Sequence, residues 1–252
     1  MTESDPASQD SRTRELAEHL SAVRRRLDEA VAAAAGGAGG RGAREGGRWF
    51  PADDVARLIS LGERSFGESR EPEASRKIAE LRADDQLADS GAVFDMIGSV
   101  QSKKAKSVAS WARMVHSVDR EKVVDALSRA SVTALDDGVR TAPLGVLLQV
   151  SLDGDVTRGG VLVEDLPALA DRVIGADGLA LRGLMVIAPV EGVAEQWMAR
   201  TAEIRERFLA DHPDARELSA GMSGDLEPAV AHGSTCVRVG TAIMGSRPLI
   251  SQ

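Results

Sequence analysis

A chain of 252 residues is the usual length of a single (β/α)8 barrel, and its 43% hydrophobic content is enough for one sizeable core. The net charge of −8 argues against a general nucleic-acid surface, because a phosphate backbone would be repelled. Cys236 is the only cysteine, which excludes an intramolecular disulfide and, with no apolar run of membrane-span length and a polar start (MTESDPASQDSRTREL), predicts a cytoplasmic protein without a membrane partner.

Residues 1–10 read as a disordered polar start, and residues 11–252 as a single domain. From Ser11 onward, Leu16, Leu20, Val23, Leu27 and Val31 recur every three or four positions, so the pattern predicts an amphipathic helix running into the alanines at 32–35. Residues 36–47 (GGAGGRGAREGG) contain seven glycines and no branched aliphatic. Glycine weakens a strand and brings no side chain to a barrel interior, each missing core side chain costing roughly 1.5–3 kcal/mol against a total stability of about 5–15 kcal/mol. A first strand here is therefore degenerate, persisting in weakened form or giving way to a loop.

Beyond Pro51 the pattern alternates. Helices are predicted over residues 53–61, 73–83, 103–113, 120–135, 163–175 and 193–212. Strands are predicted at 64–69, 93–98, 114–117, 144–150, 181–187, 218–220 and 235–239, with LGVLLQV at 144–150 the clearest buried one. Such alternation predicts a parallel sheet, and the strand count closes near eight.

The stretch LSAGMSGDLEPAVAHGSTCVRVGTAIMGSR, from Leu218 to Arg247, carries the candidate site. It reads as strand, glycine-flanked loop, helix, strand and loop. Two consecutive βα loops, each with glycine and a hydroxyl at a strand end, can aim donors at one phosphate. After the last two strands is where (β/α)8 barrels commonly hold phosphate. Gly221, Met222 and Ser223 shape the first loop, Gly240 and Thr241 the second; Arg238, two residues before Gly240, reads as a charge near the ligand or as half of a structural ion pair.

Residue by residue this stretch resembles the C-terminal signature of the pyridoxal-phosphate homeostasis proteins, which share the barrel of the alanine racemase N-terminal domain. The resemblance continues through LRGLMVIAP (181–189), VSLDGDVTRGGV (150–161), VHSVDREKVVDAL (115–127) and FPADDVARLISLGERSFGESREPEASRKIAEL (50–81). It implies a (β/α)8 barrel with an extra N-terminal helix, and a cofactor, pyridoxal 5′-phosphate, whose phosphate is cradled by Ser223, Gly240 and Thr241, with Met222 and Gly221 shaping the cofactor-binding loop and Arg238 a charge near the ring or phosphate.

Two departures stand out. Alignment on Phe50-Pro51-Ala52 puts Arg48 where the family's lysine forms a Schiff base. A guanidinium, with a pKa above about 12, has no comparable free amine, so Arg48 can hold an oxygen anion but cannot condense with the aldehyde. Covalent binding is then impaired and the cofactor held non-covalently. In the third strand, Phe94-Asp95-Met96-Ile97-Gly98 carries Asp95 where the family has histidine, and Lys103 replaces an asparagine. Read alone, Asp95 and Lys103 are a pair at a helix start or solvated charges.

Ser117 and Asp119 lie at the mouth after the fourth strand, Asp119 also suiting the N-cap of the next helix. His19, His116, His212 and His232 lack metal-ligand spacing, so no metal is predicted, and His116 reads as a packed histidine. Three functions follow: a non-catalytic, monomeric regulator of vitamin B6 and amino-acid balance that binds pyridoxal phosphate; a degenerate relative that keeps the phosphate cup but acts through another ligand or a protein partner; and a racemase. The chain has no tyrosine to serve as a second base, which weighs against the third.

Overall fold

The structure, a computed structural model, describes residues 6–34, 43–46 and 51–245. Helix α1 (Pro6–Ala33) precedes an alternation of β1 (Ala43–Gly46), α2 (Ala52–Ser60), β2 (Ser65–Glu68), α3 (Glu73–Arg82), the one-turn α4 (Asp85–Ala88), β3 (Val93–Met96) and α5 (Ala105–Trp111). It continues through β4 (Met114–Val118), α6 (Glu121–Asp136), β5 (Leu144–Val150), α7 (Leu166–Ile174), β6 (Leu179–Val186), α8 (Ala194–Asp211), β7 (Glu217–Ser219), α9 (Leu226–Ala231), β8 (Val237–Val239) and α10 (Thr241–Met244).

All eight strands described are parallel, in the order β7-β6-β5-β4-β3-β2-β1-β8. A bridge between Ser219 and Cys236 joins the two ends, so the sheet closes into the (β/α)8 barrel that the alternation implies. The degenerate first strand persists in short form. Its four residues pair with β2 through Glu45 and Gly46 and with β8 through Ala43, Arg44 and Glu45.

Burial follows the pleat. Val115, Val146, Leu148, Val150, Leu184 and Val186 join the large cluster under the helices, whereas Met114, Leu147 and Met185 form a separate cluster on the alternate, inward face. Helix α1 lies outside the barrel with Leu16, Leu20, Val23 and Ala30 buried against it.

Helix α1 begins at Pro6, five residues ahead of Ser11, where the amphipathic pattern starts. Proline is favoured in a first helical turn because its fixed φ suits the helix and its missing N–H would be unbonded there anyway.

Candidate functional site

The C-terminal ends of the strands open into a cleft of about 750 Å³. It is bounded by the loops after β2, β3, β4, β5, β6, β7 and β8, and Ser223, Gly240, Thr241 and Arg238 all line it. Strand β7 delivers the chain to Gly221, whose φ of +90° makes the turn; a Cβ there would stand 2.5 Å from the Cβ of Ala229. The Asp225 carboxylate accepts the Met222 N–H at 2.6 Å and fixes the loop, and Gly221 accepts the Arg238 N–H at 2.9 Å, joining it to β8. Across the gap, Gly240 precedes α10 and Thr241 opens it. The hydroxyls of Ser223 and Thr241 stand 3.5 Å apart, so two loops 18 residues apart in sequence present their donors at one place. Met222 is 40% exposed on the lip.

Arg238 comes from inside the barrel. Its side chain is buried, donating from Nη1 to Ser219 Oγ at 2.7 Å and from Nη2 to the Val186 carbonyl at 2.8 Å. Burial lowers its pKa from the ordinary value, with Cys236 and Asp225 acting in the opposite sense. Among the described residues Arg238 is held by neutral acceptors, Ser219 Oγ and the Val186 carbonyl, and not by a carboxylate in an ion pair.

Behind Ser219 the network continues. His116 Nδ1 lies 2.9 Å from Ser219 Oγ, and its Nε2 lies 3.4 Å from Asp95 Oδ2. A hydroxyl that accepts from Arg238 and donates to Nδ1 leaves the proton on Nε2, facing Asp95. Asp95 in turn accepts two bonds from Arg113, at 3.0 and 2.7 Å. Burial works against the Arg113 charge, but Asp95 raises its pKa overall. A continuous polar chain thus runs from the lower barrel mouth to the cleft. Asp95 is 1% exposed, so the expectation of a solvated or helix-start charge is corrected, because its partners come from β4 and the residue before it. Lys103 is exposed, as expected of a solvated charge.

The other mouth residues sort themselves plainly. Ser117 is buried and donates to the Gly98 carbonyl at 2.5 Å. Asp119 lines the cleft, bonded to Arg120 at 2.5 Å and facing the Gly160 N–H at 3.4 Å. It does not cap α6, whose N-cap position is Arg120 without a side-chain cap bond. Gln149, Ser69 and Arg158 also line the cleft, and none was singled out from sequence. A polar side chain at the end of a predicted strand was the available signal. Arg48 lies outside the described residues.

The donors and apolar lining of the cleft suit pyridoxal phosphate. Two hydroxyls converge at one end, a buried guanidinium stands in the wall, and apolar Ile187 and Val156 line another part. Ser69 Oγ, buried at the end of β2, has no hydrogen-bond partner among the described residues. None of the residues lining this cleft is lysine. Among the described residues no His, Cys, Asp and Glu cluster suits a metal ion, and no helix is long and apolar enough to cross a membrane.

The family described as "Alanine racemase, N-terminal domain" matches residues 46–248. A protein of Mycobacterium tuberculosis named pyridoxal phosphate homeostasis protein is 46% identical, the match covering 98% of each chain. A Pseudomonas aeruginosa protein of the same name is 38% identical over 92% of this chain and 96% of its own. Among solved structures, PipY of Synechococcus elongatus with PLP bound superposes with a TM-score of 0.76 at 29% identity, covering 91% of this chain and all of PipY. With the barrel and nearly the whole length in agreement, the chain belongs to the pyridoxal phosphate homeostasis protein family.

Proposed function

We propose that this protein binds pyridoxal 5′-phosphate without a covalent link and acts as a non-catalytic regulator of vitamin B6 and amino-acid balance. The observation that carries the reading is the meeting of Ser223 and Thr241 at 3.5 Å between two adjacent strand-end loops. Ser223 and Thr241 hold the phosphate, Gly240 lets the main chain approach it, Met222 closes the lip, and Arg238 faces the ring side with its remaining N–H groups. Ser69 Oγ, without a partner among the described residues, can donate to a ligand oxygen. When bound, the cofactor supplies an aldehyde and an electron-withdrawing ring; this chain's residues orient and shield it. With no lysine in the cleft wall and no tyrosine anywhere, neither base of a two-base proton transfer is at hand among the described residues.

The test is ligand-dependent thermal stability. At a ligand concentration of about 100 Kd, binding adds about 2.7 kcal/mol, which is a Tm rise of roughly 5–10 °C for a chain of this size. Replacing Ser223 and Thr241 together by alanine is expected to abolish the rise with pyridoxal 5′-phosphate. A double variant stabilised as much as the parent places the phosphate elsewhere. The absence of lysine from the cleft wall also leaves room for a second reading, a different phosphorylated ligand in the same cup. A parent stabilised by inorganic phosphate and not by pyridoxal 5′-phosphate supports that reading.

A further inference from the structure

Three polar side chains on the outer helix reach the main chain of the phosphate loops. Arg12, His19 and Arg26 recur every seven residues on α1, two turns apart, so they lie along one face beside the buried Leu16, Leu20 and Val23. Arg12 Nη2 donates to the Met244 carbonyl at 2.9 Å. His19 Nδ1 lies 2.9 Å from the Ile243 carbonyl, and since a carbonyl only accepts, Nδ1 carries the proton. Arg26 Nη2 donates to the Ser223 carbonyl at 3.3 Å. Two of these acceptors end α10, which Thr241 opens, and the third belongs to Ser223 itself.

Each contact is anchored at its other side. Arg12 is held by the Asp54 carboxylate on α2, Nη2 to Oδ2 at 2.7 Å. Arg26 makes two further bonds to Glu227 on α9, at 2.9 and 3.0 Å. Arg12 and His19 are half-buried, so their contacts lose less to solvent screening than the exposed Arg26–Glu227 pair. The acceptors are carbonyls at the back of the cup, which leaves its hydroxyls facing the cleft.

We propose that α1 is a brace for the anion cup, with Arg12, His19 and Arg26 as positioning residues that hold the loops after β7 and β8 at the spacing the ligand needs. The inference rests on the ligand occupying the Ser223–Thr241 cup. Docking of α1 and ligand binding are then linked, and linkage is reciprocal: the ligand tightens α1 by the factor that docked α1 tightens the ligand. Helix α1 lies outside the barrel, yet it governs affinity at the cleft.

The experiment compares the parent, the double variant H19A/R26A and the single variant R24A. Arg24 lies on the same helix but makes only an exposed pair with Glu63, beyond α2, at 3.1 Å, so R24A removes a charge from α1 while leaving its docking and the cup contacts in place. Two measurements are made on each full-length protein: the Kd for pyridoxal 5′-phosphate, and amide exchange without ligand over residues 221–225 and 240–245. The brace requires H19A/R26A to bind about tenfold more weakly and to exchange faster in both loops, with R24A unchanged in each. It also requires the ligand to slow exchange along α1 in the parent. Parent-like affinity and loop exchange in H19A/R26A, or equal weakening by R24A, overturns the brace. Should the parent fail to bind pyridoxal 5′-phosphate, the ligand reading falls, and the ligand-free loop exchange decides the brace alone.

Discussion

Glu68 ends β2 with its side chain 4% exposed and 2.8 Å from Lys77 on α3. Burial pushes its pKa up from 4.5 to about 7, and the attraction of Lys77 only partly offsets it. A carboxyl raised on folding favours the folded state in its protonated form. Its contribution is present in full below about 4.5 and is lost as pH rises through about 7. Relative to Glu68→Gln, the parent should lose about 2–3 kcal/mol between those values, read from denaturant midpoints at a series of pH values. Parallel pH profiles for the two proteins would show that Lys77 keeps Glu68 ionised throughout. Arg48 allows a sharper chemical test at the same scale. Borohydride reduction with pyridoxal 5′-phosphate should leave no stoichiometric adduct on lysine, and Arg48→Lys should create one. The lysines are Lys77, Lys103, Lys104, Lys106 and Lys122; Lys77 is paired, and Lys104 lines a neighbouring cleft that shares Ser69, Gly98 and Ser99 with the main one. An adduct on Lys104 of the unmutated protein would replace the non-covalent reading with a covalent one. That the Ser223 and Thr241 loops lie side by side was legible in the sequence, because glycine and a hydroxyl at consecutive strand ends act locally and the family resemblance marks the same two loops. The Asp95 chain was not, because its character is set by Arg113, His116 and Ser219, which only the closed barrel brings together.

Among the elements, β5 shows where pattern suffices: seven consecutive buried residues, LGVLLQV, match the predicted strand end to end. A strand covered on both faces needs a continuous apolar run, and that run is its signature. Strand β1 is the opposite case. No branched aliphatic in the glycine-rich segment marks it, yet β1 pairs on both edges, because a ladder needs only N–H and C=O groups, which every residue of AREG supplies. Its order comes from its neighbours rather than from its own side chains. Amide exchange over residues 43–46 should therefore be much faster than over residues 144–150, since short, glycine-containing strands open at little cost. Equal, slow exchange in both would mean that β1 is as firmly packed as the centre of the sheet.

For the whole molecule, alternation of strands and helices predicted a parallel sheet of about eight strands and the family resemblance predicted the barrel, but neither told how its last seam closes. Strands β5 and β6 share seven register pairs, whereas β7 and β8 meet at the bridge Ser219–Cys236 and through main-chain bonds from Thr235 and Cys236 to Leu218, from Ala220 to Cys236 and from Arg238 to Gly221. Both loops of the proposed phosphate cup leave from that seam, so the joint that closes the barrel is also where a ligand would tie two strands together. Ser234 supports it from within. Its buried Oγ lies 2.7 Å from the Ala220 carbonyl, 3.0 Å from Cys236 and 3.3 Å from Leu218, with one proton to donate. Ser234→Ala removes that donor and leaves buried carbonyls without it, a loss of about 1–2 kcal/mol, or roughly 3–8 °C in Tm. Exchange should quicken over residues 217–220 and 235–239 while residues 144–150 keep their protection. Saturating pyridoxal 5′-phosphate should restore part of both, because a phosphate held by Ser223 and Thr241 spans the same gap from above. If the variant loses stability with unchanged exchange at the seam, Ser234 serves only its local turn; if the ligand restores neither quantity, the cup does not join β7 to β8.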